Sequence, residues 1–155
     1  MSILAKIIST IFGVGYFPLA PGTMGSLAAL IVYWISPEIT AIQLALIILG
    51  ISVLGVYTAT ITEHEMKNKL GQEKGIDPGI IVIDEVVGML IALLFVPKTT
   101  FFLIAAFILF RIFDITKPYP VRNMERFPGG WGIVLDDVIA GIYANIAIQF
   151  GRLIF

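Results

Sequence analysis

The sequence predicts an all-α membrane protein, a polytopic bundle of about five helices with a further N-terminal helix in the membrane interface. The chain of 155 residues is 58% hydrophobic and only 14% charged, whereas an ordinary soluble domain has roughly 45–50% apolar and about 25% charged residues. Long apolar runs dominate, and the alternating pattern of half-buried strands is absent. The length suits one domain, so we expect residues 1–155 to form a single membrane-embedded domain.

Residues 1–16, MSILAKIISTIFGVGY, predict a short amphipathic helix at the membrane interface. On a helical wheel one side carries Lys6, Ser9 and Thr10 while the other is apolar, which is typical of a helix that lies in the interface plane. The apolar side consists of Ile3, Leu4, Ile7, Ile8, Ile11 and Phe12. Because the segment lacks a small-residue cleavage site, we do not expect it to be a removable signal peptide.

A helical hairpin is predicted next along the chain. The 24 residues from Ile39 to Thr62 carry no charge, which is enough to cross a hydrocarbon core of about 30 Å at about 1.5 Å per residue. Residues 26–36 are apolar but fewer, and the Pro37-Glu38 pair between the two runs indicates a turn. The first arm is short enough to be re-entrant.

Polar and apolar stretches alternate through the rest of the chain. Residues 63–79 are polar, end in the turn signal Asp77-Pro78-Gly79, and are expected to lie in water. Three apolar runs follow, from Ile80 to Val96, from Thr99 to Phe113 and from the end of a second polar stretch (114–137) to Phe155. Each apolar run predicts a helix.

The positive charges predict the orientation, because Lys and Arg collect on the cytoplasmic side. If residues 63–79 lie on the cytoplasmic side, which we call inside, only Lys98 and Arg152 lie on the opposite side of the membrane. The residues inside or at that edge are Lys6, Lys67, Lys69, Lys74, Arg111, Lys117, Arg122 and Arg126. The same threading brings residues 22–26, the start of the Ile80 helix, the end of the Thr99 helix and the start of the last helix to the cytoplasmic face.

Charge and cysteine content exclude several classes of protein. The net charge is −1, without the clustered basic surplus of a nucleic-acid-binding protein, so no nucleic-acid partner is expected. The absence of cysteine excludes a thiolate nucleophile, a disulfide and a cysteine metal site. His64 is the only histidine and lies in a polar stretch, so we expect a surface position for it. The catalytic chemistry that these exclusions leave open uses carboxylates and a bound metal.

Acidic residues in the apolar helices are the strongest candidates for chemistry. Asp84 and Glu85 interrupt GIIVIDEVVGMLIALLF, Asp114 lies three residues after Arg111 on one predicted helix face, and Asp136 and Asp137 are expected to open the last helix. A charged side chain near the centre of a membrane helix costs about 2.5–3.5 kcal/mol, so such residues usually face a polar interior. Four of the five aspartates belong to these clusters.

Two interpretations of the acids stay open at this point. They are either helix-end charges beside a structural Arg111–Asp114 pair, or ligands of a shared site for a hard cation, most simply Mg²⁺. Gly88 and Gly141 follow Asp84 and Asp137 by four residues, and small residues let membrane helices approach closely. That spacing favours the shared site.

Basic and hydroxyl groups near the same face predict an anion site. Arg111, Lys117 and Arg122 suit a phosphate ester that is also bound by a metal, whereas Arg126 is expected to be solvated. The stretch YFPLAPGTMGS places Thr23, Gly25 and Ser26 at the start of a helix, where free backbone N–H groups attract anions. When this stretch is taken alone, a Pro-Gly turn with a helix cap is the better explanation of it.

Four segments together resemble the phosphatidylglycerophosphatase A family. These are GVGYFPLAPGTMGSLAAL, IVIDEVVGM, FRIFDITKPYPVR and GGWGIVLDDVIAG, which occur in this order over nearly the whole chain. The family consists of bacterial Mg²⁺-dependent membrane enzymes that convert phosphatidylglycerophosphate to phosphatidylglycerol and inorganic phosphate. The resemblance implies a multi-pass protein of the bacterial plasma membrane with a phospholipid substrate and an active site that faces the cytoplasm.

The resemblance also implies which residues form the site. Expected catalytic and Mg²⁺-binding residues are Asp84, Glu85, Asp114, Asp136 and Asp137, and expected phosphate-binding residues are Thr23, Gly25, Ser26, Arg111, Lys117 and Arg122. A small transporter that carries cations along intramembrane carboxylates is an alternative, although only scattered polar groups such as Asn145 and Gln149 lie beyond the cytoplasmic ends of the helices. A soluble helical oligomer that buries the apolar faces is a third possibility. The oligomeric state is left open.

Overall fold

The computed structural model describes residues 3–70 and 79–154, and the regular secondary structure over these ranges consists of helices joined by turns and irregular segments, without a strand. The all-α prediction is therefore confirmed for the described residues, although they form seven α-helices rather than about five. The helices are α1 (Ile3–Ser9), α2 (Pro21–Ile35), α3 (Ala41–Leu70), α4 (Ile83–Ala92), α5 (Thr100–Thr116), α6 (Val121–Met124) and α7 (Gly130–Ile154). A 3-10 turn at Val14–Tyr16 follows α1.

Within residues 3–70 and 79–154, two helices are long and apolar enough to cross a membrane, namely α3 over Ala41–Asn68 and α7 over Gly130–Ile154. Helix α3 begins two residues later than predicted and continues through the polar residues 63–70. Glu63 pairs with Lys67 one turn further on, and such i,i+4 pairs support a helix. The predicted turn at Asp77-Pro78 lies outside the described residues, and so does Lys74. The side chain of Lys69 is likewise not described.

Helix α4 lies at the centre of the bundle. It is shorter than the helix that the apolar run 80–96 predicts. It has ten residues, of which eight are buried, and its length of about 15 Å falls short of a 30 Å hydrocarbon core. Before it, the Val82 N–H donates to the Ser9 carbonyl over 2.9 Å. After it, the Asn145 side-chain amide donates to the carbonyls of Ile91, Ala92 and Leu94. Both ends of α4 are thus held by other elements.

Helices α4 and α7 cross in close contact where two glycines meet. A Cβ atom on Gly141 would lie 2.3 Å from the Gly88 carbonyl oxygen, and one on Gly88 would lie 2.7 Å from the Asp137 carbonyl oxygen. The close approach that the Asp-x-x-x-Gly spacing predicts is confirmed. The buried Phe110 side chain of α5 closes the other side of Gly88, because its Cε2 would lie 2.4 Å from the same Cβ.

Helix α1 packs its polar side on α3 and leaves most of its apolar side exposed, while Ile8 packs against the core. Ser9 and Thr10 are buried, and the Ser9 hydroxyl lies 3.0 Å from the Thr62 hydroxyl. Ile3, Leu4 and Phe12 are each more than two thirds exposed. The helix ends at Ser9, earlier than the predicted pattern, and Ile11 and Phe12 adopt positive φ angles in the turn that follows. The amphipathic pattern therefore separates protein-facing from outward-facing residues.

The bundle has two distinct ends. At one end lie the elements that carry the predicted site residues, namely the start of α2, the start of α4, the end of α5, α6 and the first half of α7. At the other end Lys98 Nζ donates to the Ser36 carbonyl over 2.5 Å and Arg152 Nη1 donates to the Phe95 carbonyl over 2.8 Å. Asp137 and Arg152 lie 15 residues apart on α7, so roughly 22 Å of helix separates the two ends.

Candidate active site

The Gly-rich stretch before the first hairpin arm forms the first turns of α2 rather than a loop. Pro21 occupies the first position of the helix, where its missing N–H costs nothing. Ala20 precedes it with a positive φ of 50° and provides no side-chain cap. The bend thus lies before Pro21. Gly22, Gly25 and Ser26 are buried on the inner face of the helix.

Two glycines bring this first turn into contact with α4. A Cβ atom on Gly22 would lie 2.0 Å from Glu85 Oε1 and 3.4 Å from Arg111 Nη1, and one on Gly25 would lie 2.9 Å from Val82 Cβ. Any side chain at these positions would push the helices apart or displace Glu85. The glycines are required by space, and they place the start of α2 directly beside a carboxylate.

Asp84, Glu85 and Asp137 form one compact acidic group. One carboxylate oxygen from each lies within 4.8 Å of the others, with Asp84 and Asp137 buried and Glu85 partly buried. Asp84 and Glu85 are in the first turn of α4. Asp137 lies two turns inside α7, so the expectation that Asp136 and Asp137 open the last helix is wrong. Helix α7 starts earlier, at Gly130, because this glycine lets the helix begin against the Val56 carbonyl and the Thr60 hydroxyl of α3.

Asp114 and Arg111 border this acidic group from α5. Arg111 Nη1 lies 2.6 Å from Asp114 Oδ2, which confirms the contact that their three-residue spacing predicts. The Asp114 carboxyl group also interacts electrostatically with that of Asp137. Arg111 Nη1 lies 3.3 Å from the Ser26 hydroxyl, so Arg111 joins α5 to the start of α2.

Asp136 belongs to a neighbouring ion-pair network instead of the three-acid group. Lys117, which ends α5 in a left-handed conformation, donates to Asp136 Oδ2 and to Glu125 Oε1, each over 2.6 Å. Burial lowers the pKa of Lys117, but the hydrogen bonds that Lys117 donates to Asp136 and Glu125 outweigh burial and hold this pKa above its ordinary value. Lys117 is therefore positively charged throughout the physiological pH range.

The other side chains considered in the sequence analysis form no hydrogen bond or ion pair with the three-acid group or with the Lys117 ion-pair network in the described part of the chain. Thr23 lies in the first turn of α2 and is half-buried, while Arg122 in α6 is exposed and forms no ion pair with another described residue. Arg126 is exposed, as expected for a solvated residue. His64 is exposed and contacts Asn68 one turn away, consistent with the predicted surface position.

Sequence reasoning missed two acids at the edge of the site. Glu63 is only 8% exposed, although the stretch 63–79 was expected to lie in water, and it lines a cleft of about 110 Å³ with Lys117, Glu125 and Asp136. The i,i+4 spacing of Glu63 and Lys67 was the one sequence feature that could have indicated that the helix continues through Glu63. Glu125 meets Lys117 through a loop, which has no periodicity that could have indicated the pairing.

The three-acid group fits a hard divalent cation. Its ligand atoms are carboxylate oxygens, which Mg²⁺ prefers. Glu85 Oε2 is buried and has no hydrogen-bond partner among the described residues, although buried acceptors are almost always satisfied. A cation would satisfy this oxygen and offset the repulsion of three carboxylates held within 4.8 Å.

The chain is similar to known lipid phosphatases over nearly its whole length. It is 44% identical to a protein of Bacteroides thetaiotaomicron provisionally named phosphatidylinositol-3-phosphatase, with 97% of this chain and 95% of the relative covered. It is 41% identical to phosphatidylglycerophosphatase A of Haemophilus influenzae (92% and 86% covered) and 40% identical to that of Escherichia coli (90% and 78% covered). No solved structure is significantly similar.

A family model places these similarities in one group. The model described as Phosphatidylglycerophosphatase A matches residues 7–152, a range that includes every residue of the candidate site. The resemblance carried by the four sequence segments is therefore confirmed. The chain belongs to the phosphatidylglycerophosphatase A family and is a phosphoric monoester hydrolase that acts on phosphatidylglycerophosphate.

Proposed function

We propose that the chain removes the terminal phosphate of phosphatidylglycerophosphate in a Mg²⁺-dependent reaction at the acidic group between α4, α5 and α7. The observation that carries this proposal is the placement of Asp84, Glu85 and Asp137 oxygens within 4.8 Å of one another. Asp114 borders this group and Asp136 lies beside it, so all five predicted acids are assigned to the site. They would hold one or two Mg²⁺ ions.

When bound, Mg²⁺ supplies Lewis-acid stabilisation of phosphoryl oxygens and lowers the pKa of water. The chain's own groups do the remaining work. One of the acids accepts the proton of the attacking water, since a carboxylate within hydrogen-bonding distance acts as a general base. Arg111 and Lys117 stabilise the charge that develops on the phosphoryl oxygens.

The start of α2 contributes further donors to the phosphate. The backbone N–H groups of Gly22 and Thr23 lie in the first turn of the helix, where they have no partner four residues earlier. Gly22 lies beside Glu85 and Arg111, so a phosphate held by the acids and Arg111 would also be close to this helix start. Thr23 is assigned to this part of the site as a donor, and Gly25 as the residue that allows the close approach to α4. Ser26 is assigned to the site through its contact with Arg111, and Arg122 is assigned to the rim.

The two ends of the bundle support a proposal for the membrane placement of the site. We assign the end that carries the site to the cytoplasmic side of a bacterial plasma membrane, with α3 and α7 crossing the bilayer and α1 in the interface. The exposed apolar side of α1 supports an interfacial position. The acyl chains would then stay in the bilayer while the headgroup reaches the acids.

Asn145 and Gln149 argue against the alternative of a cation transporter. Asn145 donates three hydrogen bonds to carbonyls at the end of α4, and Gln149 donates to the Phe95 carbonyl. These amides therefore satisfy backbone groups instead of forming steps of a polar path across the bundle. A second phosphatase substrate is favoured by the B. thetaiotaomicron relative, whose name specifies an inositol phospholipid.

The test is phosphate release by the purified chain in vesicles that contain phosphatidylglycerophosphate, with a phosphorylated phosphatidylinositol assayed in parallel. We expect chelation of Mg²⁺ to abolish release, and Asp84→Asn and Asp137→Asn to lower kcat by about a hundredfold or more. Glu38→Gln is the matched control, because Glu38 is an exposed acid in the turn between α2 and α3.

The outcomes separate the parts of the proposal. Full activity in chelator, or in either aspartate variant, would exclude the three-acid group as a metal site. Thermal unfolding of the same samples establishes that an inactive variant is still folded. Faster turnover of the inositol lipid would make that lipid the preferred substrate while leaving the assignment of the site unchanged.

A further inference from the structure

The Ser26 hydroxyl is fully buried and engaged in two hydrogen bonds. It donates to the Gly22 carbonyl over 2.9 Å, and it accepts from Arg111 Nη1 over 3.3 Å. A serine hydroxyl has one hydrogen to donate. Because this hydrogen is used within α2, the Ser26 side chain has none left for a phosphoryl oxygen.

Arg111 is held through one nitrogen of its guanidinium group, Nη1. Nη1 contacts both the Ser26 hydroxyl and Asp114 Oδ2, and the side chain is 15% exposed. Nε is buried and has no hydrogen-bond partner in the described part of the chain. A guanidinium group has five N–H donors in a rigid plane, so fixing one corner fixes the direction of the others.

We infer that Ser26 is a positioning residue for Arg111 rather than a direct ligand of the phosphate. Its hydroxyl and the Asp114 carboxylate fix Nη1, which leaves Nε and Nη2 to bind the phosphoryl group of the substrate. This inference rests on the proposed role of Arg111 at the phosphate, and it assigns Ser26 a task that acts through another side chain.

The position of Ser26 on α2 makes this coupling specific. The carbonyl that accepts its hydrogen belongs to Gly22, the residue that touches Glu85. Ser26 therefore ties the guanidinium group of α5 to the same helical turn that borders the acids of α4. Loss of the hydroxyl would free the guanidinium plane without removing its charge.

A double-mutant cycle on phosphate release tests this inference. We expect Ser26→Ala to lower kcat/KM by about tenfold to a hundredfold, the range expected for one hydrogen bond to a charged group. The inhibition constant of inorganic phosphate should rise by a similar factor. In the Arg111→Gln background the same Ser26→Ala change should have no further effect, because its only route to the substrate is gone.

Ser52→Ala is the matched control. Ser52 makes the same hydrogen bond to the carbonyl four residues earlier, over 2.7 Å, but it lies on α3 in a groove whose lining contains no acid. We expect this variant to keep the wild-type kcat/KM and the wild-type affinity for inorganic phosphate. Melting temperatures of Ser26→Ala and Ser52→Ala should change by similar small amounts.

Three results would overturn the inference. Effects of Ser26→Ala and Arg111→Gln that multiply independently would make Ser26 a direct ligand. A lowered melting temperature with an unchanged kcat/KM for the folded fraction would make it a packing residue, and unchanged kinetics would exclude any role. The proposed function fails separately, through the single variant Arg111→Gln, if that variant retains full activity and phosphate affinity.

Discussion

Gly22 is the residue at which the geometry of the site depends most directly on the absence of a side chain. The nearest atom to a Cβ at this position is Glu85 Oε1, at 2.0 Å, and the next is Glu85 Cδ, at 2.9 Å. Both atoms are at the free end of a side chain. A methyl group would therefore move the Glu85 carboxylate and leave the helices in place.

We expect Gly22→Ala to lower kcat by about a hundredfold with little loss of stability. Misplacement of a reacting group by about 1 Å costs roughly this factor, and alanine is a better helix former than glycine by about 1 kcal/mol. Phosphate release and thermal unfolding of the same samples measure the two effects. Gly50→Ala in α3 is the control, since a Cβ there has no atom within 4 Å. A variant as active as wild type would show that Glu85 need not occupy its present position.

The sequence could predict the acids but not all of their partners. Asp84, Glu85 and Asp137 stand out because charge inside an apolar run requires an explanation. The link between Ser26 and Arg111 joins residues 85 positions apart, and nothing in the local pattern of either segment specifies it. Likewise, Lys117 was predicted to bind phosphate, and its pairing with Glu125 depends on how residues 118–129 fold.

At the scale of elements, the crossing of α4 and α7 determines how far Asp84 lies from Asp137. Both aspartates precede the contact glycines by one turn. The neighbours of the missing Cβ atoms here include backbone, since Gly141 faces the carbonyl group of Gly88. Backbone cannot rotate away as a side chain can, so a methyl group must separate the two helices.

We expect Gly141→Ala to reduce stability and activity together. Overpacking of a helix contact costs about 1–3 kcal/mol, which lowers the melting temperature of a domain of this size by several degrees. Separation of α4 and α7 would also widen the acidic group and slow phosphate release. Gly151→Ala on the same helix is the control, because its Cβ would have no atom within 4 Å. Unchanged melting and turnover in Gly141→Ala would mean that the helices are not held at this distance.

The length and start of the helices were less predictable than their existence. The run Ile80–Val96 looks like one long helix, but interactions with α1 before Ile83 and with Asn145 after Ala92 limit α4 to ten residues. Helix α7 starts before Asp136 because Gly129 and Gly130 pack tightly against α3. Both differences arise from tertiary contacts, which a one-dimensional apolar pattern does not contain.

At the scale of the whole molecule, positive charge is distributed unevenly between the two ends of the bundle. Of the eight Lys and Arg side chains that the structure describes, only Lys98 and Arg152 belong to the end opposite the site. The others are Lys6, Lys67, Arg111, Lys117, Arg122 and Arg126. An excess of Lys and Arg marks the cytoplasmic ends of membrane proteins, so the whole bundle predicts the orientation that individual helices only suggest.

Cysteine labelling in intact cells tests this orientation, because the chain has no cysteine of its own. Glu38→Cys introduces one thiol in the exposed turn between α2 and α3, and Arg126→Cys introduces one on the exposed surface near the site. The outer envelope is first opened so that a membrane-impermeant maleimide reaches the plasma membrane, which stays sealed. We expect the maleimide to label Glu38→Cys under these conditions and to label Arg126→Cys only after the plasma membrane is permeabilised. The reverse pattern would place the acids outside. Labelling of both only after permeabilisation would mean that the bundle does not cross the bilayer.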